Sequence, residues 1–331
     1  MHAPQQRAPH REKEVNIIGR LKLVLGTGLA AAILMAGVAQ AKDLKIGMVN
    51  LSLCCAYFVG MDAAVKDEAA QFPNITVLST NADGDVAKLT SDVEDLLNQG
   101  VDGLIISGAF IEAAPAALDA IKAAGVPVVQ VDRLLKGGDY TSWVGPDNRA
   151  IGEGIGDYMV KRLGGKGHVA IIRGGPADNT IGSDRSDGVK AKLDAAGIKY
   201  THAADWGGWS ADGGFQQMED LLAQYDDLNA VFCENDSMCL GAQKAIADAG
   251  KSGDIFLASV DGEMGTLKAI LDPNSNYGAT GLNNSDQIGR AGFYRLMAIL
   301  AGAEAPQKTV LPSPIITIDN AIKYYDPESL F

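Results

Sequence analysis

Short apolar, β-branched runs alternate along this chain with longer stretches of helical periodicity, almost without exception. In the first half the pattern predicts strands over residues 44–50, 75–80, 101–107 and 126–131, with helices over 58–71, 85–99 and 111–124 between them. The second half repeats the scheme, with strands expected over 168–173, 199–203, 230–233, 255–260 and 277–281. A β-α rhythm of this kind implies parallel sheets covered by helices on both faces. Two runs of it imply two such sheets. Gly100 and Gly125 each stand where a helix must stop before a buried strand, and glycine supplies the left-handed exit at little steric cost. No low-complexity linker separates the halves, so several short crossings are expected rather than one tether.

The N-terminal segment departs from this rhythm. Arg20 and Lys22 form a basic region, residues 23–38 are uncharged and apolar, and Ala39-Gln40-Ala41 is an A-x-A cleavage site. This is the order of a secretory signal, too short for a comfortable membrane span. Residues 1–41 are therefore expected to be leader and cleaved signal peptide, with the exported protein starting at Lys42 in the periplasm. A G-x-G-x-x-A pattern at Gly26, Gly28 and Ala31 follows no strand and lies within that segment, so it carries no dinucleotide reading.

Beyond Ala41 the chain has 290 residues, enough for two domains, and 23 Lys and Arg against 39 Asp and Glu, a net charge of −16. Such acidity repels nucleic acid, which is not an expected partner. Only His168 and His202 remain in this stretch. A His-based triad or a multi-His metal site is thus poorly supported, and no catalytic residue, metal or cofactor is expected.

Several phrases resemble the ribose- and galactose-type periplasmic solute-binding proteins of ABC transporters. They are Val126-Pro127-Val128-Val129-Gln130-Val131-Asp132-Arg133, Asn229-Ala230-Val231-Phe232-Cys233-Glu234-Asn235-Asp236-Ser237-Met238, Ser259-Val260-Asp261-Gly262 and Ser285-Asp286-Gln287-Ile288-Gly289. The resemblance runs from Lys42 to about Ile318. It implies the type 1 periplasmic binding fold: two doubly wound, Rossmann-like parallel-sheet lobes joined by a three-crossing hinge near Pro146, Asn283 and Pro312. The lobes are expected to comprise 42–146 plus 284–311 and 147–283 plus 312–331. Ligand would sit between them at the carboxyl ends of the strands.

By that resemblance Asp132 and Arg133 contact ligand from the first lobe and Arg185 from the second. The chemistry agrees, because a carboxylate accepts hydroxyl protons and a guanidinium offers several fixed donors. Asn235 adds an amide that donates and accepts, and Asp261 a second carboxylate. Asn283 aligns with a hinge-proximal amide of the family, a role that its neighbour Asn284 could take after a one-residue shift. Asp236 is read as the cap of the following helix and left out. Tyr57, Phe58 and Trp206 are expected in loops as apolar walls for sugar C–H faces, with Trp209 set lower because of the intervening Gly207-Gly208.

Cys54-Cys55 stands where the family commonly carries Asn-type residues, and both are expected to line the site. They could close a strained ring with each other, one of them could bridge to Cys233, Cys233 could pair with Cys239, or all could be thiols acting as small hydrophobes.

The implied function is delivery of a monosaccharide or related small polar ligand to an ABC permease and its ATPase subunits, with hinge closure on binding. A chemoreceptor is a further candidate partner. Glu234 and Glu263 near the expected cleft admit an amino sugar, and a polyol is the other alternative. A secreted carbohydrate-active enzyme is the second class. Against it stand the lack of G-x-S-x-G and the expectation that Arg133 and Arg185 hold Asp132 and Asp261 ionised, whereas a general acid needs a raised pKa. A repressor's effector lobe is disfavoured by the signal segment and the lack of an N-terminal helix-turn-helix.

Overall fold

A computed structural model describes residues 42–53, 55–107, 111–135, 140–176 and 180–331. The leader and signal segment, and Cys54, lie outside the described residues.

Five strands follow from the first half: β1 (Leu44–Asn50), β2 (Ile75–Asn81), β3 (Gly103–Ser107), β4 (Val128–Val131) and β5 (Ser142–Gly145). Between them lie α1 (Ala56–Ala69), α2 (Val86–Asn98) and α3 (Pro115–Ala124). The second half gives α4 (Asn148–Leu163), β6 (His168–Ile172), α5 (Ile181–Ala196), β7 (Lys199–His202), α6 (Ala211–Gln224), β8 (Ala230–Cys233) and α7 (Asp236–Asp248). Then come β9 (Phe256–Asp261), α8 (Met264–Leu271), β10 (Tyr277–Leu282), α9 (Ser285–Leu300), β11 (Lys308–Val310) and β12 (Ile315–Thr317).

Two six-stranded sheets result, ordered β11-β5-β4-β3-β1-β2 and β12-β10-β9-β8-β6-β7. All pairings in the first are parallel, and in the second only β12 runs antiparallel, against β10. The chain passes between sheets after β5, after β10 and after β11. Both sheets are apolar on both faces, as parallel sheets sandwiched by helices must be. In β1, Ile46 and Met48 pack beneath α1 and α9, while Val49 faces the α2 and α3 side. In β6, Val169 and Ile171 face α4 and α5, and Ala170 and Ile172 face α6 and α7.

The element ends have local causes. Asp85 accepts from the Ala87 and Lys88 amides and starts α2. Pro115 opens α3, and Gly125 at φ 65° ends it. The third strand begins at Gly103 rather than 101, because the Val101 amide still bonds back to Leu96. The fourth begins at Val128 rather than 126, because Pro127 has no N–H to give the ladder and only its carbonyl accepts, from Leu104. The first helix starts at Ala56, so Tyr57 and Phe58 occupy its first turn instead of a loop.

Candidate functional site

The carboxyl edges of the two sheets face each other across a cavity of about 540 Å³, within the size range of small-molecule sites. Tyr57, Phe58, Asp132 and Arg133 line it from the first sheet's side, and Arg185, Asn235 and Asp261 from the second's. Asn283, at one of the crossings, and Cys55 complete the expected set that it gathers.

Asp132 follows the last residue of β4 and holds φ at 64°, a left-handed conformation unfavourable for a non-glycine residue. It is fixed there on three sides. Its amide bonds to the Val144 carbonyl at 3.0 Å, its own carbonyl accepts from the Trp143 indole at 3.1 Å, and Tyr57 donates its hydroxyl to Oδ1 at 2.8 Å. Burial pushes the Tyr57 phenol well above its ordinary value, and the neighbouring Asp132 and Asp261 carboxylates push it further. Phe58 meets the Tyr57 ring edge-on at 5.3 Å. Arg133 reaches across the cleft to the Thr180 hydroxyl, 3.0 Å away at the start of α5.

Arg185 is almost wholly buried, and its guanidinium is spread over several partners. Nε donates to Asn148 at 2.8 Å, and Nη1 donates to the Glu234 carbonyl at 2.6 Å and lies 3.0 Å from Asp261 Oδ1. Asp261 ends β9 at φ 140°. Its carboxyl was expected to be held ionised by arginine, but its pKa is pushed well up. Burial is the chief cause, Arg185 opposes it, and Asp236 and Glu263 add to it. Asn283 donates to Asp261 at 3.2 Å, while its own Oδ1 is buried with no hydrogen-bond partner.

Asn235, not Asp236, caps α7. Its Oδ1 accepts from the Met238 amide at 3.0 Å and its Nδ2 donates to the Trp209 carbonyl at 3.2 Å. Asp236 is fully buried one residue further on. It accepts from the Ser259 hydroxyl, from Thr280 at 2.7 Å, and from the Gly262 and Glu263 amides at 2.7 and 2.8 Å. It therefore fixes the strained turn that presents Asp261.

Trp206 does not line the cavity. It is 38% exposed, with the Arg173 guanidinium 4.2 Å above its ring. The Gly207-Gly208 turn directs Trp209 inward instead, at φ 59°. Its indole lies flat on Gly174, where a Cβ would come within 2.0 Å of the ring. Thus Asp132, Trp209 and Asp261, three of the four non-glycine residues with positive φ among the described residues, are cavity residues. Strain concentrates where groups must be aimed.

Sequence reasoning passed over Ser107 and Ser237 as lining residues, and it set Glu263, which also lines the cavity, near the cleft without counting it among the ligand contacts. Ser107 ends β3 and donates to Asn50 at 2.6 Å, so strand-end position alone would have found it. Ser237 donates to Glu263, whose pKa is raised to about 7 by burial and by Asp236. Cys233 and Cys239 are free, fully buried thiols of the second sheet's core, and burial with the adjacent Cys239 pushes Cys233 up.

Comparison with known proteins accords with this geometry. The ribose import binding protein of Bacillus subtilis is 33% identical over 272 residues, covering 81% of this chain and 85% of its own. A xylitol-binding protein of Mycolicibacterium smegmatis is 27% identical, with 89% and 83% covered. A crystal structure of an ABC transporter solute binding protein from Mycobacterium smegmatis with bound glycerol superposes with a TM-score of 0.80 at 30% identity, covering 86% of this chain and 98% of that one. These relatives are solute-binding proteins, not enzymes. The model of the periplasmic binding protein domain matches residues 46–304, and the chain belongs to that family.

Proposed function

We propose that this chain is the periplasmic solute-binding component of an ABC-type importer, and that it closes on a monosaccharide or polyol. One observation carries the reading. Donors and acceptors from both sheets converge on one small cavity, and the buried Asn283 Oδ1 there has no protein partner. A buried acceptor left unpaired is costly, and a ligand hydroxyl would satisfy it. Asp132 and Asp261 accept hydroxyl protons, Arg133 and Arg185 donate, and Tyr57, Phe58 and Trp209 supply apolar walls. The lobes are taken as 42–146 with 284–311 and 147–283 with 312–331, except that residues 329–331 pack on the first. The partners are a permease with its ATPase subunits, and a chemoreceptor is a further candidate. The basic-apolar-A-x-A order before Lys42 supports export.

A second reading, an amino sugar, is favoured by Glu263, a carboxyl at the cavity with Ser237 as its side-chain partner. Thermal shift against pentoses, hexoses, polyols and amino sugars tests both. A ligand at ~100 times its Kd stabilises by about 2.7 kcal/mol. Asp132→Ala should weaken binding of the best compound by ~1.5–3 kcal/mol, and small-angle scattering should report a smaller radius of gyration on saturation. Binding unchanged in that variant would mean the cleft is misplaced.

A further inference from the structure

We propose that residues 326–331 form a strap tying the second lobe to the first, and that Phe331 is a positioning residue for the cleft, acting through Tyr57 on Asp132.

The segment leaves the second sheet at β12, and Ala321, Tyr324 and Tyr325 pack into that lobe's core. The Asp326 amide lies 3.2 Å from the Met264 sulfur, at the start of α8. Only three residues later the Ser329 hydroxyl lies 3.3 Å from Asp286, on the first turn of α9, and shares its proton with the Phe331 main-chain oxygen at 2.8 Å. Phe331 then buries its side chain, 2% exposed, against the first lobe. Three residues span at most about 11 Å. The two anchorages therefore cannot separate far without one releasing.

The seat of Phe331 is shaped for it. Gly60 on α1 leaves a notch in which an added Cβ would fall 2.8 Å from Asp286 Oδ1 and 3.2 Å from the Phe331 Cβ. The Phe331 ring meets Tyr57 edge-on, centroids 5.2 Å apart at 84°, while Phe58 meets Tyr57 at 5.3 Å and 89°. Tyr57 is thus bracketed by two rings and delivers its hydroxyl to Asp132, 2.8 Å away. Edge-to-face pairs have a preferred geometry, so removing one ring frees the other to rotate.

The test compares Phe331→Ala and Phe331→Leu with the parent chain. Hydrogen–deuterium exchange without ligand should quicken roughly tenfold at the Val59 and Asp132 amides in Phe331→Ala, leave α2 amides unchanged, and return toward parent rates in Phe331→Leu. Calorimetry with D-ribose and with xylitol should show Phe331→Ala weakening binding roughly three- to tenfold, and much less in a Tyr57→Phe background, where no hydroxyl remains to aim. Unchanged exchange at Val59 and Asp132, or an equal rise throughout the first lobe, overturns the proposal. The binding arm rests on the cleft being a sugar or polyol site. If neither compound binds the parent chain, that reading fails for these ligands while the exchange arm still decides the strap.

Discussion

The two walls of the cleft present similar groups, a carboxylate beside a guanidinium, but support them by different physics. On the first wall the supports of Asp132 include the Tyr57 hydroxyl, the Val144 carbonyl, the Trp143 indole and a stack of rings at Tyr57, Phe58 and Phe331. On the second wall, Arg185 and Asp261 sit on a layer of buried charge and amide, comprising Glu234, Asp236 and Asn148. Glu234 itself accepts from the Gly174 amide at 2.6 Å and from Ser186 at 2.5 Å. Aromatic support is insensitive to pH and loses energy gradually on truncation. Buried ionic support is pH-dependent, and removing one partner strands another without water. The second wall is therefore the brittle one.

The largest expected difference follows from Arg185. Arg185→Ala leaves Asp261 and the Glu234 carbonyl buried without their shared donor. It should destabilise the ligand-free chain by about 3–5 kcal/mol in chemical denaturation and abolish ligand binding. By contrast, Asp132→Ala leaves the buried Tyr57 hydroxyl without its acceptor and should cost less, about 1–3 kcal/mol, while also lowering affinity. Equal stability losses in the two variants would erase the distinction between the walls.

This contrast was only partly legible in the sequence. The alternation of strands and helices was, because β-branched runs and glycine exits such as Gly100 and Gly125 are local signals. Three strands escaped it. Ser142–Gly145 mixes Ser, Trp and Gly, Lys308–Val310 is three residues long, and Ile315–Thr317 pairs antiparallel where parallel crossovers set the expectation. At the cleft, strand-end position brought out Asp132, Arg133, Asn235 and Asp261. It misjudged Asn235 and Asp236 by one residue, since either side chain caps a helix and only the buried hydroxyls of Ser259 and Thr280 decide which of the two turns inward. The choice between Trp206 and Trp209 turned on a left-handed backbone at Gly208 and Trp209, which no residue pattern reveals.

The tryptophans give the next contrast in size. Trp209 lies on Gly174 beside the cavity, whereas Trp206 stacks with Arg173 at the surface. Trp209→Ala should weaken binding of the best screened compound by about 2 kcal/mol, with Trp206→Ala within about 0.5 kcal/mol of the parent. Calorimetry on the two variants distinguishes them, and a reversed order would return Trp206 to the site.

The smallest effect concerns Glu263, and it separates the walls by pH rather than by truncation. Its pKa rises from 4.5 to about 7, with burial the first cause, Asp236 the second, and the Ser237 hydrogen bond opposing. A carboxyl raised on folding binds its proton more tightly in the folded chain than in the unfolded one. Its stabilising contribution is therefore complete below pH 4.5 and is lost as pH climbs through about 7. Asp261 and Asp236, also raised, lie on the same wall and slope the same way, while Arg185 opposes the rise at Asp261. Glu263→Gln mimics the protonated form at every pH, so subtracting its denaturation curve from the parent's isolates this one group. The two should have equal stability below pH 4.5, where the carboxyl is protonated in both states. The variant should become the more stable as pH rises, levelling off above pH 8 at about 1 kcal/mol, since the carboxyl keeps one side toward solvent. A flat difference for Glu263→Gln would mean that its carboxyl binds its proton no more tightly folded than unfolded, and the pH dependence of this wall would then rest on Asp261 and Asp236.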